Sequence, residues 1–297
     1  MPARDIPHSG GSLLDHLVGT WALLTAWGAP RDVGGAGLVH SVYSTSFFGY
    51  ALFSLREREK VRRLVGRESE ALAYLFCVLD RASLCSRIFK LGRIPDRLSV
   101  ARHDGGRPIR LSRAALKKLL LVECANTAEQ TSAEDGGPAP WMSNVLFWLR
   151  LTEFKMPALG SSPAISNHAE QTAIAVYSAA LHSPADRAIA ELSRVAALNP
   201  FAAEPRILRG LCALELGDPS QALLDAVRGQ ALLTAWAIPW DKRLSLATWC
   251  EISSGLSSHA GGGGRLSNIP TIASMGNLIL AASRDAIRGQ SPKQGLR

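Results

Sequence analysis

Apolar residues recur at spacings of three and four along most of this chain, and that period constrains its fold more than any other feature. Ser12 is placed to cap a helix whose apolar positions are Leu13, Leu17, Trp21, Leu24 and Trp27, and Gly28-Ala29-Pro30 ends it. A second helix follows from about Arg31 to Tyr43, built on Gly34, Gly35, Ala36 and Gly37. Each glycine costs a helix about 1 kcal/mol relative to alanine. Such a run makes sense only where a close neighbour or a ligand requires small side chains. The period predicts further helices at about 56–65, 68–79, 113–130 and 141–154, and 92–110 reads as a long loop with room for a short extended pair. Alternating runs flanked by hairpin turns are almost absent, so the expected fold is all-α.

Composition narrows the classes of function. The 297 residues carry 47% apolar side chains, enough for a substantial core. No apolar run approaches the roughly 20 residues that a bilayer crossing needs, and the first residues lack the basic head and apolar block of a secretory signal. We therefore expect a cytoplasmic protein with no membrane partner. The net charge of +8 invites anions, yet the one dense run of arginines, LREREKVRR at 55–63, alternates with glutamate. It reads as a solvated helix face rather than a nucleic-acid surface, and Arg56, Arg58, Arg62 and Arg63 belong to it. Five cysteines without C-x-x-C spacing read as buried thiols.

The chain divides into two regions. TSAEDGGPAP at 131–140 is a linker, and the proline, glycine and serine content of 156–167 places a domain break there, giving expected domains of 1–155 and 168–297. Within the second, the stretch from Ala188 to about Trp236 forms short helices separated by NP and GDPS, and it resembles the tetratricopeptide repeat. Gly210 falls at the repeat's small position, Leu216-Gly217-Asp218 at its turn and Ala222 at its close helix contact. Arg209 and Gly229 depart from the pattern. The resemblance implies a helical-hairpin domain able to receive a protein partner.

Chemistry concentrates at the other end. His16 on the first helix and His40 on the second stand 24 positions apart, so a tight turn between two equal antiparallel helices is expected to bring them face to face near one end of the pair. Two neutral imidazoles can supply half of a metal's coordination shell. His8, in an entry segment flanked by proline and glycine, can fold over the site as a third imidazole. Tyr43 lies beyond His40 and offers a phenol.

The arrangement LLDH…LL..WG…AGLVHSVY, with the stretch at 57–81 behind it, resembles the HD superfamily of metal-dependent phosphohydrolases, and especially the alarmone hydrolase domains. The resemblance covers about residues 8–130 and implies an HD-like helical bundle. It also implies a divalent metal, manganese or iron, at His16 and His40, activating a water for attack on a phosphate. Ser41 occupies the position of the family's metal-binding aspartate, and Ser44-Thr45 replace further acids. Glu123 and Asn126 are the nearest candidates for the family's last acidic ligand, with Glu123 or His8 completing the shell. The expected function is a metal-dependent enzyme acting on a small-molecule ligand, a phosphorylated metabolite among the candidates, with His40, Ser41 and Tyr43 at the reacting centre. Two alternatives stand beside it: a metal-free HD fold that binds a ligand or a protein, and a diiron oxygenase of the HD type.

Overall fold

The structure, a computed structural model, describes residues 2–8, 11–156, 159–160, 163–262 and 269–290, the last four without side chains. Much of the segment 156–167 is described, but Pro157, Ala158, Ser161 and Ser162 are not; residues 263–268 and 291–297, which the sequence reads as part of a glycine-rich loop and a terminal tail, also lie outside the described residues. The fold is all-α, with two short two-stranded sheets among the described residues. Among the described residues no helix is long and apolar enough to cross a membrane. The chain forms two compact units, one of residues 1–130 and 145–155, the other of 131–144 and 156–297.

In the first unit a hairpin of β1 (Pro7–His8) and β2 (Gly11–Ser12) leads into α1 (Leu13–Ala26). Ser12 caps α1 through the amide of Asp15, whose carboxylate returns a bond to the Ser12 amide. Gly28, at φ +76°, turns the chain into α2 (Arg31–Val39). There follow α3 (Arg58–Val65), α4 (Arg67–Val78), α5 (Arg81–Leu91), the antiparallel pair β3 (Arg97–Val100) and β4 (Ile109–Ser112), α6 (Arg113–Gln130) and α7 (Met142–Thr152).

Helix α2 is the hub, packed against α1, α3, α4 and α6. Its glycines account for that. A Cβ on Gly37 would stand 2.5 Å from Leu24 Cδ1, and one on Gly35 would overlap the Ser69 hydroxyl of α4. Close approach on two sides therefore requires the small side chains.

Four features differ from the sequence expectations. Helix α2 stops at Val39 rather than Tyr43, because the His40 ring donates to the carbonyl of Gly37 at 2.7 Å and occupies one of the last-turn acceptors. Helix α5 was not expected; Asp80 caps it through the Ser83 amide and Gly92 closes it at φ +61°. Arg58 and Arg62 are not a purely solvated face, since both bond the fully buried carboxylate of Glu70. Cys85 and Cys250 are partly exposed rather than buried.

The second unit stacks α8 (Asn167–Ala180), α9 (Ala185–Leu198), α10 (Glu204–Glu215), α11 (Pro219–Trp236) and α12 (Leu246–Ala260), each on the next, with α13 (Ile272–Gln290) against α10. Gly210 lies under the Ala222 carbonyl of α11, where a Cβ would come within 3.2 Å. Arg209 reaches across as a fork on the buried Asp225, at 2.8 and 2.6 Å. Trp141, Tyr177, Trp236, Trp240 and Trp249 fill the centre, and among them lie three buried carboxylates, Glu170, Glu204 and Asp241.

Candidate functional site

The first unit holds a cavity of about 460 Å³, walled by the hairpin residue His8, by His16 of α1, by His40, Ser41, Thr45, Phe47 and Phe48 following α2, by Arg81 of α5, and by Glu123, Asn126 and Gln130 of α6. Five segments thus converge on one pocket. His16, His40, Ser41 and Asn126 are each less than 5% exposed.

The polar contacts assign the protons. His40 Nδ1 donates to Gly37, so its Nε2 offers a lone pair to His16 Nε2, 3.1 Å away. Full burial, reinforced by the charge of His16, pushes the pKa of His40 down to about 3, so the ring stays neutral. His16 Nε2 also faces the Asn126 side-chain oxygen at 3.1 Å, and His16 Nδ1 is in short contact with the Glu129 carboxylate. Acceptors therefore stand at both nitrogens of His16, and hydrogens on both satisfy all of them. Glu129 thus holds His16 on one side, and His40 and Asn126 face its other nitrogen.

Small residues make this possible. A Cβ on Gly19 would meet Glu129 Cγ at 2.9 Å, so the glycine gives the glutamate its path across α1 to His16. His8 stacks on His16, with ring centroids 4.2 Å apart and planes 13° from parallel. Burial and the neighbouring His16 hold His8 below the usual histidine range.

The residues singled out from sequence divide into two groups. His8, His16, His40, Ser41, Glu123 and Asn126 line the cavity together. Tyr43 does not; it is buried with its hydroxyl donating to Glu70 at 3.0 Å, and that carboxylate and burial raise its pKa. Glu123 takes Arg81 Nη1 at 2.6 Å, and Asn126 approaches the histidines in its place. Sequence reading missed Arg81, Glu129, Phe47 and Phe48. Asn126 and Glu129 are three apart on α6 and so share a face, but nothing in that spacing says that the face meets His16.

Several polar groups of the wall lack partners. Ser41 Oγ, His8 Nδ1 and Arg81 Nε are all buried without a hydrogen bond. Arg81 is otherwise firmly placed, with its guanidinium 4.1 Å from the centre of the Phe76 ring and 5.1 Å from that of Phe47.

Residues 1–81 match a protein family described as a domain of unknown function, DUF6817. No curated protein and no solved structure matches the chain. The matched stretch carries His8, His16, His40 and Ser41 and ends at Arg81; the α6 wall of the cavity lies beyond it.

Proposed function

We propose that the first unit is a metal-free, HD-like ligand-binding module, in which a proton on His16 takes the place that a divalent ion holds in the hydrolases the sequence resembles. One observation carries the reading: His16 has acceptors at both ring nitrogens, and a single added proton satisfies Glu129, His40 and Asn126 together.

The donor set supports this and does not suit manganese or iron. A hard divalent ion draws its affinity from carboxylate oxygens. Here Ser41 supplies a hydroxyl and Asn126 a neutral amide where charge is required. The two nearby carboxylates are engaged elsewhere, Glu123 with Arg81 and Glu129 with the far nitrogen of His16. Among the described residues, no group of three or more histidine, cysteine, aspartate and glutamate side chains is arranged to hold a metal.

The cavity is of the size that encloses a small molecule, with apolar and polar groups mixed on its wall. The second unit, with Leu224 and Val227 of α11 exposed on its stacked helices, serves in this reading as the half that meets a protein partner.

Elemental analysis of the purified full chain, before and after incubation with Mn²⁺, Fe²⁺ or Zn²⁺ under anaerobic conditions, tests the proposal. Less than a tenth of an equivalent retained after desalting is the expected result. A stoichiometric ion that disappears in His16→Ala and His40→Ala would overturn it.

A further inference from the structure

The three unpartnered atoms of the cavity wall have a common chemistry. Arg81 Nε–H can only donate, the Ser41 hydroxyl has a hydrogen to give, and His8 Nδ1 can carry one. Ser41 is 3% exposed and Arg81 8%, and the Ser41 hydroxyl and Arg81 Nε have no hydrogen-bond partner on the protein. A buried donor left unmet costs free energy, and more when the group is charged. An occupant that accepts hydrogen bonds removes that cost.

The charge around the pocket selects among acceptors. Arg81 is half-neutralised by Glu123, 2.6 Å from Nη1, while Glu129 accompanies His16. A phosphate dianion would bring two negative charges beside the Glu123 carboxylate of the wall, with the Glu129 carboxylate behind His16. A carboxylate brings one, and its planar pair of oxygens suits the edge of a guanidinium. Beside this corner the wall is aromatic: Phe48 stands edge-on to His8 at 4.8 Å, and Phe47, 69% exposed, covers Arg81 at the rim. Such rings receive an apolar body.

Building on the metal-free pocket proposed above, we infer that the cavity binds a small organic monocarboxylate, its oxygens on Arg81 Nε, the Ser41 hydroxyl and His8, and its apolar portion against Phe47 and Phe48.

The test is calorimetric titration of the full chain with butyrate, benzoate and 3-phenylpropionate, with their amides and with inorganic phosphate, while the histidine ring resonances are followed by NMR. The inference expects at least one acid to bind saturably and to shift the His8 and His16 signals, with its amide at least tenfold weaker. Arg81→Met should weaken the acid at least tenfold. Should that variant fail to fold, Ser41→Ala, which only removes a buried unbonded oxygen, should weaken it about threefold or more. Failure of all three acids, phosphate binding more tightly than any of them, or variants that keep full affinity would overturn the inference. If the amides bind as well as the acids and shift the same rings, the carboxylate assignment is wrong while the pocket reading stands. If no compound moves the rings, both fall.

Discussion

Replacing glycines of α2 one at a time by alanine separates the two forces that the sequence sets against each other. Each substitution gains about 1 kcal/mol of helix propensity. What it loses depends on the neighbour. At Gly34 a Cβ meets nothing nearer than 3.9 Å, at Thr25 and Trp21, so the gain stands and Gly34→Ala should stabilise the protein by up to about 1 kcal/mol. At Gly37 the same atom lies 2.5 Å from Leu24 Cδ1 and 3.4 Å from Thr20 Cγ2, so α1 and α2 must separate or Leu24 must leave its rotamer. Overpacking of that kind costs about 1–3 kcal/mol, which leaves Gly37→Ala between neutral and about 2 kcal/mol destabilising. Thermal unfolding should accordingly place Gly34→Ala a few degrees above the wild type and Gly37→Ala at or below it, at roughly 2–4 °C per kcal/mol for a unit of this size. Because α1 and α2 carry His16 and His40, Gly37→Ala should also broaden or shift their ring resonances. If Gly37→Ala stabilised the protein as much as Gly34→Ala, close packing would not be the reason for the glycine run.

Other outcomes follow from buried charges. His40 is neutral when folded, with its pKa near 3, whereas the unfolded chain takes up a proton below the ordinary histidine value of 6.5. Stability should therefore fall as pH drops from about 6.5 toward 3, and His40→Gln should reduce the slope by up to one proton's worth, about 1.4 kcal/mol per pH unit, in urea titrations. Glu204 behaves oppositely: burial raises its pKa to about 8, so the stability due to its protonated form is present below 4.5 and is lost as pH rises through 8. Glu204→Gln, whose oxygen can keep the bonds from the Trp240 and Asp241 amides, should be more stable than the wild type at pH 9, and equal stability there would refute the assignment. Asp225→Ala strands Arg209 and should cost about 3–5 kcal/mol by denaturant titration; adding Arg209→Met should recover much of the loss, and strict additivity would contradict a coupled pair.

The helices were legible where a cap and a stop flank a periodic run, as at Ser12 and Gly28, and α6 has the bounds its pattern predicts. Helix α5 carried the same signals in Asp80 and Gly92, but its arginines and serines mask the apolar face formed by Leu84 and Ile88. The end of α2 was not legible, because it is set by the His40 ring bonding a carbonyl three residues back rather than by a breaker. In the site, the helix–turn–helix spacing of His16 and His40 sufficed to bring them together. Glu129 and Arg81 entered from distant segments, and nothing local in the sequence says that a glutamate on α6 will thread past Gly19 to reach α1. Arg209, a departure from the repeat when read alone, is explained by Asp225 sixteen residues later.

The state of the histidine pair tests the central claim most directly. Long-range ¹H–¹⁵N spectra of the full chain at pH 7, with His16 and His40 assigned from their glutamine variants, report which ring nitrogens carry hydrogen. His16 should carry hydrogen at both nitrogens and His40 at Nδ1 alone, unchanged by chelator or added Zn²⁺. A neutral His16, or Nε2 resonances of both rings that move together on adding one equivalent of metal, would contradict it.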